Sequence, residues 1–96
     1  MKVSEVTVQD LVDNANENPE DAKVIKDFKI ILPAVKSFIK SYTGLDDSQM
    51  DAKEDLTQVL FVISNEMYEN GSLTVDGDKV NKLVMTILNM HSMNYL

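Results

Sequence analysis

The 96-residue chain has no cysteine, no arginine and no tryptophan, and a single histidine, His91. Without cysteine there is no disulfide scaffold, no thiol nucleophile and no cysteine zinc site. Without arginine the chain lacks the forked side chain that reads guanine and clamps phosphate in two places at once. Sequence-specific DNA recognition is therefore not expected, and a net charge of −7 opposes general attraction to nucleic acid. Three glycines are too few and too scattered for a phosphate-cradling loop. No apolar run approaches the length of a membrane span and no secretory signal pattern is present, so a soluble, unexported chain with no membrane contact is expected.

What is present describes one small domain spanning residues 1–96. Apolar residues make up 44% and charged residues 26%, ordinary values for a globular protein. A chain of this size has a modest core and gains stability by associating.

Helix signals are dense. Thr7 and Asp10 are spaced as a capping box, with Val6 and Leu11 placed for a hydrophobic staple, so a first helix is predicted at about 8–15. Asn18-Pro19-Glu20-Asp21 supplies a cap, a proline at the first helical position and two acids in the first turn. A second helix is predicted from there to Thr43, closed by Gly44, with a kink or a division into two half-helices at Pro33. A third is predicted from Ser48 or Asp51 to Asn70-Gly71. A polar loop from Ser72 to Asp78, with a possible extended piece at Leu73-Thr74-Val75, precedes a fourth helix at about Lys79 to Met90. The remaining tail, through Met93, Tyr95 and Leu96, is unusually apolar for a terminus. The expected fold is all-α, a bundle of about four helices around a long antiparallel central pair.

At helical spacing, Val24, Phe28, Ile31, Leu32, Val35, Phe38, Ile39 and Tyr42 form one stripe of the second helix. Lys23, Lys26, Lys29, Lys36 and Lys40 fall away from it. That lysine strip is either a solvated face or a docking face for an acidic surface. The third helix has the stripe Leu56, Val59, Leu60, Ile63 and Met67; Phe61 and Tyr68 lie together on a second face, and Val62 widens the apolar surface on another side. Such a helix is either wrapped by its own neighbours or meets another subunit. On the fourth helix Val80, Leu83, Val84, Ile87 and Leu88 form the stripe, with His91 extending it as a core-edge residue and Met85 as core filler. Charge is segregated along the chain. Residues 20–43 carry five lysines against three acids, whereas residues 44–78 carry one lysine against nine acids. A basic face and an acidic lobe in one molecule favour head-to-tail contact between copies, and such heterologous contacts close into rings when the rotation permits.

No catalytic constellation emerges. Glu66 and Glu69 share a helix face but lack a Glu-x-x-His partner. Asp46, Asp47, Ser48 and Asp51, like Asp76 and Asp78, do not match calcium-loop spacing and read as caps and turns. No enzyme, cofactor or metal is expected. Gly44-Leu45-Asp46-Asp47-Ser48 at a helix start resembles an acyl or peptidyl carrier protein, with Ser48 as the prosthetic-group serine. The match is short, and Gln49 stands where an apolar neighbour is expected. A small acidic regulatory binding protein is a further alternative.

Three stretches in fixed order carry a broader resemblance. They are Ala34-Val35-Lys36-Ser37-Phe38-Ile39-Lys40-Ser41-Tyr42-Thr43-Gly44-Leu45, then Asn65-Glu66-Met67-Tyr68-Glu69-Asn70, then Val75-Asp76-Gly77-Asp78-Lys79-Val80-Asn81 with Met90-His91-Ser92. With the opening Val3-Ser4-Glu5-Val6-Thr7 and Asp10-Leu11, the set resembles the head–tail connector family of tailed phages and prophages, also called head-completion or DNA-packaging adaptors. The resemblance implies a non-catalytic helical virion subunit that forms a ring of about a dozen copies. The ring would sit beneath the portal protein at the head–tail junction, contact tail-side proteins and pass the genome through its lumen. Assembly in the bacterial cytoplasm goes with it. An acidic lumen would repel DNA and let it slide. One departure is Gly71, where the family often has arginine. The expected interface residues are Lys29, Lys36 and Lys40 for charge docking, Phe61 and Tyr68 for aromatic packing, Asp76 and Asp78 for loop contact, and Met93, Tyr95 and Leu96 for tail capture.

Overall fold

A computed structural model describes residues 1–71 and 82–91. After a single 3-10 turn at Val3–Glu5 come α1 (Val8–Asn14), α2 (Ala22–Thr43), α3 (Asp47–Asp51), α4 (Glu54–Glu69) and α5 (Lys82–His91), with no strand among the described residues. The protein is a small all-α bundle.

Local chemistry sets most boundaries. Thr7 Oγ1 accepts from the Asp10 backbone N–H at 3.2 Å, and Asp10 Oδ2 accepts from the Thr7 N–H at 2.9 Å, forming the expected box at the start of α1. Val6 and Leu11 are both buried beside it. Asn16 ends α1 in the left-handed region at φ 56°, a conformation asparagine tolerates. The Asn16 and Glu17 N–H groups then bond back to Asp13 and Val12. Gly44 closes α2 in the same way, at φ 73°, its N–H bonded to the Lys40 carbonyl at 2.9 Å.

Three sequence expectations are corrected. The start of α2 is not at Pro19: Asn18 Oδ1 accepts from the Glu20 N–H, which makes a local turn, and the helix begins at Ala22 under an Asp21 cap that accepts from Lys23 and Val24. The expected third helix is two helices. Asp46 and Gln49 form a capping box for α3, which ends at Asp51 with Ala52 as its C-cap, while Lys53 is extended at φ −114°, ψ 91°. That break lets Met50 enter the core from α3 while Leu56, Val59 and Leu60 enter from α4. α2 itself runs unbroken through exposed Pro33, so the division into half-helices does not occur.

Where the structure describes them, the stripes read from sequence form the core; Val80 and the Leu83 side chain lie outside the described residues. Val24, Phe28, Ile31, Val35 and Ile39 are buried from α2, and Leu56, Val59, Leu60, Ile63 and Met67 from α4. Val84 and Leu88 join them from α5, with Met85 and Ile87 packed at the edge. Phe28 near the start of α2 stacks on Tyr68 at the end of α4, with centroids 4.6 Å apart, so the two long helices run antiparallel. At the other end, His91 Nε2 lies 2.6 Å from Asp55 Oδ2, and Tyr42 donates to Asn89 at 2.6 Å. These contacts set α5 antiparallel to α4 and parallel to α2.

The N-terminal segment is sewn on by bonds distant in sequence. Asp51 accepts from the Ser4 N–H at 2.9 Å and from its hydroxyl at 2.6 Å. The Thr57 hydroxyl donates to the Met1 carbonyl at 2.7 Å, and Val3 and Val6 fill the space beneath.

Candidate interaction surfaces

The sites expected from sequence divide into three groups. Lys29 is exposed on the outer side of α2, as are Lys23 and Lys26, and none of the three makes an ion pair among the described residues. Lys36 is half-buried and donates to the Val6 carbonyl at 3.4 Å. Lys40 pairs with Asp47 at 3.4 Å across the α2–α3 turn. The free lysine surface is thus the N-terminal half of α2, and the other two cations are engaged within the chain. An exposed pair such as Lys40–Asp47 contributes little to stability.

The aromatic pair is also placed within the molecule. Tyr68 is half-buried against Phe28, and Phe61 is half-buried against the core. The Tyr68 hydroxyl is held above its ordinary titration range, first by burial, then by the charge and acceptor oxygens of Glu17, then by Asp27 and Asp21. Asp76, Asp78, Met93, Tyr95 and Leu96 lie outside the described residues.

The acids are of two kinds. Asp46 caps α3, and Asp51 is committed to Ser4. The Ser4 hydroxyl, then the Ser4 backbone N–H, hold the Asp51 carboxyl below the ordinary value against partial desolvation, with Lys2 and Lys36 assisting. Glu69 instead is exposed on α4 and accepts from Asn65 at 3.2 Å, while Glu66 is half-buried and makes no ion pair among the described residues. A cleft of about 220 Å³ between the N-terminal turn, α2 and α3 is lined by Val3, Ser4, Lys36, Asp47, Met50 and Asp51. Its polar walls are already partnered by one another and by Lys40 and Val6. Ser48 is exposed in the first turn of α3.

Of the apolar members of these surfaces, Val62 is legible in the sequence as a residue outside the α4 stripe, whereas Ile30 is not singled out there. Ile30 is 41% exposed among the α2 lysines and Val62 is 38% exposed beside the α4 glutamates, while Met90 on α5 is 73% exposed. The signal available was angular: Ile30 falls outside the α2 stripe and Val62 outside that of α4. Among the described residues no helix is long and apolar enough to cross a membrane. No protein-family model matches the chain, and neither does any curated protein or solved structure.

Proposed function

We propose that the chain is a structural subunit of a phage head–tail junction, a connector that closes with its own copies into a ring beneath the portal and joins the DNA-filled head to the tail. The motif order described above supports this reading. The observation that carries it is the presence of two outward faces of opposite charge in one small molecule: Lys23, Lys26 and Lys29 on α2, and Glu66 and Glu69 on α4. Complementary faces at different places on one subunit generate head-to-tail contacts, the kind that build rings.

The role asks for mechanical work and needs no catalytic side chain. Each subunit supplies a preformed helical block whose N-terminal segment is tied down at Asp51 and Thr57. The excess of acid repels the DNA backbone, so the genome passes through the lumen unread. Partners are further copies, the portal and tail-side proteins, and the location is the virion after assembly in the bacterial cytoplasm.

The test is negative-stain electron microscopy with mass photometry of the chain mixed with the portal ring of the same phage. The expected result is an annulus added to the portal, with a mass gain of many copies. Portal rings that keep their own mass, with the chain left behind as a small species, overturn the proposal.

A further inference from the structure

Four large apolar side chains are exposed among the described residues, and two of them, Ile30 and Val62, stand in matching surroundings. Counting back along α2 from Ile30, lysines occur four and seven residues away, at Lys26 and Lys23. Counting forward along α4 from Val62, glutamates occur four and seven residues away, at Glu66 and Glu69. Positions four and seven apart recur on one side of a helix, and both strips span about 10 Å at 1.5 Å per residue. Both strips face away from the core: Lys23, Lys26 and Glu69 are exposed and Glu66 is half-buried.

We infer that the outer strip of α2 docks antiparallel onto the outer strip of α4 in a second copy of this chain, placing Ile30 on Val62, Lys26 opposite Glu66 and Lys23 opposite Glu69. The orientation follows from the order of the residues. The apolar member is C-terminal to the lysines on α2 and N-terminal to the glutamates on α4, so only antiparallel helices match all three pairs. Continuing the register beyond the apolar pair sets Ala34 opposite Gln58 and Ser37 opposite Asp55, so no like charges meet. The occupant is another copy because one chain carries both halves of the match. The contact uses a different surface on each partner, so each docked copy still offers its second strip to the next. Exposed ion pairs make such a contact sensitive to salt. The inference rests on the self-assembly contained in the proposed function, not on portal binding.

Sedimentation velocity of the full chain, over a concentration series at low ionic strength, tests the contact through charge exchange. The wild type associates. Lys23→Glu with Lys26→Glu weakens association about tenfold or more, and Glu66→Lys with Glu69→Lys does the same. All four substitutions together restore it, at unchanged net charge, and so does an equal mixture of the two double variants. Lysine and glutamate are both good helix formers, so far-UV circular dichroism remains that of the wild type. Lys23→Glu and Glu69→Lys, singly and combined, repeat the exchange at the facing pair whose two members are both exposed. A combined variant as weak as its parents, double variants as strong as the wild type, or a wild type that is monomeric throughout overturns the contact. Failure here with normal loading onto the portal leaves the connector reading standing; rescued self-association without portal loading retains the contact and removes the connector reading.

Discussion

Replacing Phe28 and Tyr68 by leucine, singly and together, measures how strongly the two long helices are tied at one end. Phe28 is 1% exposed, and its ring stacks on Tyr68 at 4.6 Å with an interplanar angle of 24°. Phe28→Leu loses ring volume from the core and is expected to cost about 1–2 kcal/mol. Tyr68→Leu removes a half-buried ring and is expected to cost about 1 kcal/mol. The two losses share one contact, so the double variant should recover about 0.5–1.5 kcal/mol relative to their sum. Urea unfolding followed by far-UV circular dichroism resolves this: with a slope of about 1 kcal/mol per molar, a 1 kcal/mol change moves the midpoint by about 1 M. Additive losses, within about 0.3 kcal/mol, would refute the stacking argument. A Tyr68→Leu variant of wild-type stability that fails only in assembly would return Tyr68 to the role of a subunit contact.

Two further substitutions probe polar groups, one at the surface and one in the core. The Asp51 carboxyl is held below its ordinary value of 3.8, chiefly by the Ser4 hydroxyl and then by the Ser4 N–H. In the acid range the unfolded chain therefore binds the proton more readily than the folded one. The stabilisation is complete above the ordinary value and is lost as pH falls through the lowered one. Ser4→Ala should lower stability at neutral pH and flatten the acid limb, and equal wild-type and variant slopes below pH 3.8 would contradict the assignment. Ser64 is buried with its hydroxyl unpartnered among the described residues. Ser64→Ala should raise stability by about 1 kcal/mol, read from the same urea curves, by removing an unsatisfied polar atom and improving helix propensity; a loss of stability would mean that the hydroxyl has a partner.

Much of the fold is legible because its rules are local. The Thr7–Asp10 box, the Gly44 closure and the three apolar stripes each need only neighbouring residues to be recognised. Where local rules tie, sequence reading chose wrongly. Asn18 and Asp21 are both good caps, and the first was spent on a turn. The division between α3 and α4 depends on Ser4 reaching Asp51 across 47 positions and on Met50 and Leu56 both entering the core, which no short window contains. The interaction surface was only half legible for the same reason. Periodicity placed five lysines away from the core, but it could not show that Lys36 is drawn to the Val6 carbonyl or Lys40 to Asp47. Nor could it show that Tyr68 finds Phe28. Once those groups are placed, what remains outward on the long helices is a smaller and better matched set.

Because the chain has no native cysteine, one pair of engineered thiols tests the docking register directly. An Ile30→Cys chain and a Val62→Cys chain, distinguishable by mass, are mixed and oxidised under the conditions in which the wild type associates. The account predicts a covalent heterodimer formed in preference to either homodimer, and suppressed by high salt. Homodimers in the proportions of random collision, or no cross-linking at all, would contradict it.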